Sequence, residues 1–136
     1  MENYPITHYS TFHAKTASIL VVDDEPAFCG VMSELLRSFG YEVRFAYNVD
    51  QAMAHIQTAL PDIILTDVMM PGVDGLNFVR RLQREPGLAR IPTIVVSAKA
   101  ESRDIRATKE AGADACLIKP FSASELRQTI TQFLHG

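Results

Sequence analysis

Three acids, one hydroxyl and one cation stand at four places in this 136-residue chain where short apolar runs give way to polar loops. Asp67 closes the run that begins at Ile63, and the Pro/Gly-rich stretch VMMPGVDG follows at once. Asp23 and Asp24 follow ILVV, Ser97 follows IVV, and Lys119 follows ACLI. A carboxylate at a strand tip is a candidate nucleophile or metal ligand, because α/β folds bind ligands in the crevice outside the carboxyl ends of their strands. Three carboxylates brought within a few ångströms repel one another and raise at least one pKa unless a cation lies between them. A hard divalent ion suits such a set. Mg²⁺ takes carboxylate and carbonyl oxygens, keeps several waters and bridges to phosphate oxygens, which fits three acids with no His or Cys beside them. Ser97 and Lys119 add a hydroxyl and an ammonium able to contact a phosphoryl oxygen. The set is that of a phosphoryl-transfer site in which Asp67 attacks and becomes an acyl phosphate. It needs no general base, since a carboxylate is ionised at neutral pH.

These residues meet only if the strands that carry them point the same way. From Ser18 onward, short apolar runs alternate with amphipathic segments, the rhythm of βα units around a parallel sheet in an α/β fold. The first strand is Ile19 to Val22, and Pro26 suits the first turn of a helix. In that helix Phe28, Val31, Met32, Leu35, Leu36 and Phe39 form one expected apolar face, ended by Gly40. A second strand is expected over Tyr41 to Ala46, a helix over Val49 to Leu60, and a third strand over Asp62 to Thr66. Leu76 to Arg84 is a helix, Ile91 to Val96 a strand ended by Ser97, and Glu101 to Ala111 a weakly amphipathic helix closed by Gly112. Ala115 to Ile118 is the fifth strand and Ser122 to Leu134 the fifth helix, with Ser122 and Glu125 spaced as a capping box. Right-handed crossovers then bring all the strand tips to one edge. One domain over 18–136 is expected, preceded by a flexible arm over 1–17.

Composition narrows the partners. A net charge of −3 and 21% charged residues offer no basic field for nucleic acid or an anionic membrane. No direct nucleic-acid contact and no membrane association are expected. The segment 1–17 lacks the pattern of a signal peptide, and its two histidines are too sparse to argue for a metal. Cys29 and Cys116 have no ligand or CxxC spacing and read as packed, reduced thiols, with a cytoplasmic setting as the default.

The chain from about Ser18 to His135 resembles the receiver domain of two-component response regulators, through VVDDE at 21–25, TDVMMPGVDG at 66–75, VVSAKA at 95–100 and GADACLIKPF at 112–121. The spacings agree as well: 43 residues from Asp24 to Asp67, 30 from Asp67 to Ser97 and 22 from Ser97 to Lys119. The resemblance implies a doubly wound, flavodoxin-like (β/α)5 fold with strand order 2-1-3-4-5. It implies Asp67 as phosphoacceptor, Asp23, Asp24 and Asp67 with the backbone carbonyl of Met69 as Mg²⁺ ligands, and Ser97 and Lys119 as contacts of the phosphoryl group. The Lys119-Pro120 bond resembles the family's cis peptide. The donor would be a phosphohistidine on a histidine kinase or histidine phosphotransfer protein, and the output a protein contact or a fused domain. Phosphoryl oxygens would draw in Ser97 and shift the face of the fourth helix, fifth strand and fifth helix.

Four positions qualify what the resemblance implies. Cys116 stands where a Tyr or Phe is common, so the aromatic switch is expected to be replaced by a thiol that packs but reports activation weakly. Met69 and Lys99, each two residues beyond a site residue, are expected to lengthen the life of the phosphoform. Ala115 stands where dimerising receivers carry an Asp, so Arg106 and Arg127 are expected to be solvated and the chain a monomer or weak dimer. Two alternatives accompany this reading. A Mg²⁺-dependent aspartyl-phosphate phosphatase acting on small substrates is disfavoured because it wants an acid at Met69. A receiver-like module that is not phosphorylated is disfavoured because all five site residues are present.

Overall fold

A computed structural model of the chain describes residues 16–68, 75–98 and 102–135, apart from the side chains of 102–104 and 135. The expected arm over 1–17 therefore falls almost wholly outside the described residues. Among the described residues five strands, β1 (Ser18–Val22), β2 (Glu42–Ala46), β3 (Ile63–Asp67), β4 (Thr93–Ser97) and β5 (Ala115–Ile118), alternate with five helices. These are α1 (Pro26–Ser38), α2 (Val49–Thr58), α3 (Gly75–Arg84), α4 (Ser102–Ala111) and α5 (Ala123–His135). All pairings are parallel and the order is β2-β1-β3-β4-β5.

The central strands β1, β3 and β4 are largely apolar on both faces because both faces are covered, whereas edge strand β2 carries Glu42 and Arg44. Ile19, Val21, Ile63, Leu65, Ile94, Val96 and Leu117 pack on one side against Cys29, Met32 and Leu36 of α1 and Leu126 and Ile130 of α5. Leu20, Val22, Ala46 and Ile64 pack on the other against Ala52, Met53 and Ile56 of α2 and Phe78 and Leu82 of α3. Val79, Val95, Ala111 and Ala113 extend that second layer towards α4.

The ends of the elements follow from local chemistry, with some shifts from expectation. Gly40 takes φ 98° after α1 and Gly112 takes φ 112° after α4, a left-handed backbone that side chains resist. At α5 the capping box is reciprocal: the Glu125 N–H donates to Ser122 Oγ at 3.0 Å, and the Ser122 N–H to Glu125 Oε1 at 3.1 Å. α2 stops at Thr58, two residues short of Leu60, because Ala59 is already extended ahead of Pro61. There Arg44 donates to the carbonyls of His55 and Ala59 and satisfies the helix end. β3 runs one residue later than expected and takes Asp67 into the strand. Val31 departs from the expected face of α1: it is 63% exposed. The buried stripe is Cys29, Met32, Ser33 and Leu36, and each residue step turns a helix by about 100°, so the neighbour of a central Met32 points aside.

Candidate functional site

Parallel register brings the polar strand ends level. Val22, the last residue of β1, pairs with both Ala46 and Thr66, Asp67 pairs with Val96, and Ser97 with Ile118. Asp23 and Asp24 follow β1, Asp67 and Ser97 end β3 and β4, and Lys119 follows β5, so all five lie on one edge. Between β1 and β3 the chain's strand order reverses, the place where such sheets open a crevice.

Asp23, Asp24 and Asp67 each offer a carboxylate oxygen, and the three oxygens lie within 4.8 Å of one another. Asp23 is fully buried and Asp67 nearly so. Lys119 Nζ stands 3.5 Å from Asp23 Oδ2 and 3.6 Å from Asp67 Oδ2, joining the two acids. Asp23 Oδ1 accepts the Glu25 N–H at 2.9 Å, and its carbonyl accepts the Cys29 thiol at 3.4 Å. Burial lifts the Asp23 carboxyl from 3.8 to about 6. The Glu25 N–H and Lys119 hold it down, while the charge of Asp67 adds to the rise. A buried acid so destabilised in its charged form, beside two more, is an arrangement that a cation would relieve. The donors are all oxygen, which suits a hard ion.

Two details position these groups. The Lys119 N–H donates to the Ser97 carbonyl at 2.8 Å, which ties the end of β5 to the end of β4, and the Lys119-Pro120 peptide is cis. Gly75 opens α3 against the strand end: a Cβ there would stand 2.3 Å from Val68 Cα and 3.0 Å from the Asp67 carbonyl oxygen. The last glycine of the 66–75 motif is therefore a steric requirement for bringing α3 up to Asp67.

Cys116 is half-buried against Val79, Val95, Ala111 and Ala113, and burial raises its thiol pKa. Arg106 and Arg127 are both exposed, as expected, and the Arg127 guanidinium lies 5.2 Å from the Phe39 ring centroid. Met69 and Lys99 lie outside the described residues. The residue that sequence reasoning missed is Phe28, whose ring lies beneath Lys119 Nζ at 4.0 Å from the centroid. Its apolar spacing marked it only as core. The available signal was its place in the first turn of α1, since helical side chains lean back towards the N-terminus and so towards the end of β1.

A five-stranded parallel sheet in this order, with an acid triad, a hydroxyl and a lysine at its carboxyl edge, defines a class of α/β phosphoacceptor domains. The response regulator receiver domain profile matches residues 19–131, and the chain belongs to that family. The gliding motility regulatory protein of Myxococcus xanthus is 41% identical over 106 residues, covering 78% of this chain and 14% of that protein. The phosphate regulon transcriptional regulatory protein PhoB of Pseudomonas aeruginosa is 41% identical over 109 residues, covering 80% of this chain and 48% of that protein. The chain thus spans about half, or much less, of the curated relatives it matches. A response regulator structure from Chloroflexus aurantiacus superposes with a TM-score of 0.84 at 33% identity, covering 90% of this chain and all of that one. The receiver domain of a sensor histidine kinase of Pseudomonas aeruginosa PAO1, solved with a magnesium ion coordinated in its active site cleft, gives a TM-score of 0.81 at 30% identity. That match covers 89% of this chain and 99% of the other. As a receiver domain the chain is a signalling component of two-component systems, a family that interacts with histidine kinases and output domains. No helix among the described residues is long and apolar enough to cross a membrane.

Proposed function

We propose that Asp67 is the phosphoacceptor of this receiver, that it takes a phosphoryl group from a phosphohistidine on a histidine kinase or phosphotransfer protein, and that Asp23, Asp24 and Asp67 hold the Mg²⁺ the transfer requires. The observation that carries the proposal is the convergence of three carboxylate oxygens within 4.8 Å, with Lys119 Nζ 3.6 Å from Asp67. The carbonyl of Met69 is proposed as a further ligand. Bound Mg²⁺ neutralises charge on the carboxylates and on the transferring phosphoryl oxygens.

This chain's residues do the rest. The nearly buried carboxylate of Asp67 attacks phosphorus, so an O–P bond forms as the N–P bond breaks, and the leaving imidazole keeps the bonding pair and takes up a proton. Lys119, already between Asp23 and Asp67, turns its charge to the new phosphoryl oxygens. Ser97 donates its hydroxyl to another of them. Drawing Ser97 in moves the end of β4, to which β5 is bonded through Lys119 N–H, and so biases the α4-β5-α5 face on which a downstream protein or a fused output domain reads the state. Hydrolysis of the acyl phosphate resets the switch, so the chain acts on itself and turns over no external substrate.

The test is transfer from a phosphorylated histidine phosphotransfer protein with Mg²⁺. Wild type should accept a hydroxylamine-labile phosphoryl group, and Asp67→Asn should accept none; equal labelling of both would refute the assignment.

A further inference from the structure

Among the described residues Lys119 has three close partners, and only two of them are charged. Its Nζ lies 3.5 Å from Asp23 Oδ2, 3.6 Å from Asp67 Oδ2 and 4.0 Å from the centroid of the Phe28 ring. A lysine ammonium is a compact, strongly hydrated charge on a flexible four-carbon stem, so carboxylates attract it without fixing its direction. The side chain of Lys119 is 23% exposed, which leaves room for water to draw it out. The N-terminal turn of α1, where Phe28 sits, also carries partial positive charge and disfavours a neighbouring cation. An aromatic face offsets that, because its negative quadrupole attracts an ammonium within about 6 Å.

We propose that Phe28 is a positioning residue for phosphoryl transfer, holding the Lys119 ammonium over its ring and directed at Asp67. The inference rests on the reading of Asp67 as phosphoacceptor. The ring is half-buried and packed against the core under α1. It also leaves Lys119 free to act. A reach of about 6 Å lets the ammonium move from a carboxylate oxygen to a phosphoryl oxygen on Asp67 without leaving the ring. An aliphatic residue would fill much of the volume but offer no such attraction, and a fluorinated ring would keep the shape, so packing and positioning are separable.

The full chain is compared with Phe28→Leu, Phe28→Tyr and a variant carrying trifluorophenylalanine at position 28, which keeps the ring's shape and removes its negative face. Two readouts are used: the ring-current shift of the Lys119 ε-methylene protons in the Mg²⁺-free protein, and the rate of phosphorylation by acetyl phosphate with Mg²⁺. The expected wild-type signal is shifted upfield, the shift persists in Phe28→Tyr and disappears in Phe28→Leu. The phosphorylation rate is expected to fall about three- to tenfold in Phe28→Leu and in the fluorinated protein, and to stay within about twofold in Phe28→Tyr. If wild type shows no upfield shift, or if the fluorinated protein is phosphorylated as fast as wild type, the proposal is overturned. A wild type that takes up no phosphoryl group overturns the functional reading and this role with it. That failure is recognised by a ring-current shift that remains while no protein is labelled.

Discussion

The buried carboxyl of Asp23 makes the metal-free protein respond to pH in the direction opposite to most carboxylates. Its pKa rises from 3.8 to about 6 on folding, so the folded state binds the proton more tightly than the unfolded one. The stability this contributes is fully present below pH 3.8 and is lost as pH rises through about 6. A rise of this size is worth a few kcal/mol over the whole span, of which roughly 1 kcal/mol lies between about pH 5 and pH 8. Asp23 is fully buried, so little of this is screened by solvent. The assay is urea unfolding of wild type and Asp23→Asn across that range in chelator. The amide keeps an acceptor for the Glu25 N–H but does not titrate, and titrating groups remote from Asp23 cancel in the difference between the two proteins. Asp23→Asn should be the more stable at pH 8, by about 1 to 3 kcal/mol, with the advantage shrinking by roughly 1 kcal/mol at pH 5. Mg²⁺ binding needs the ionised carboxylate, so wild-type affinity should be about tenfold weaker at pH 5 than at pH 8. A stability difference that is constant from pH 5 to pH 8 would refute the reasoning.

Three further outcomes follow from the packing. Gly75→Ala should destabilise the protein by about 1 to 3 kcal/mol in urea, because its Cβ would meet the Val68 backbone at 2.3 Å, and should slow phosphorylation as the Asp67 loop shifts. Leu126→Ala empties a fully buried position between α5 and the sheet and should cost about 2 to 5 kcal/mol, read by the same titration. Cys29, fully buried with its thiol pKa pushed up to about 11, should resist a thiol reagent until the protein unfolds. Half-buried Cys116 should react only slowly, and a rate matching free cysteine at either thiol would contradict the described packing.

Much of the fold was legible because its determinants are local. Strands buried on both faces must be apolar runs, and Pro26, Gly40, Gly112 and the Ser122–Glu125 pair mark helix ends by backbone chemistry alone. The site was legible for the same reason: parallel strands force their tips together, so Asp23, Asp24, Asp67, Ser97 and Lys119 could be assigned to one edge before any distance was known. What escaped depends on direction and burial. A one-residue slip in β3 decides whether Asp67 lies in or beyond the strand, and the exposure of Val31 depends on which residue of α1 centres on the sheet. That Asp23 is the acid lifted to about 6 depends on its burial, to which a sequence of adjacent aspartates is blind. Phe28 under Lys119 joins residues 91 positions apart, and apolar periodicity cannot distinguish a core ring from one that also faces a cation.

The most direct test is intact mass spectrometry after incubation with acetyl phosphate and Mg²⁺, with fragmentation to locate the modification. Wild type should gain the mass of one phosphoryl group, located at Asp67, with none added in chelator and none on Asp67→Asn. Phosphorylation that persists in Asp67→Asn, or that maps to another residue in wild type, would contradict it.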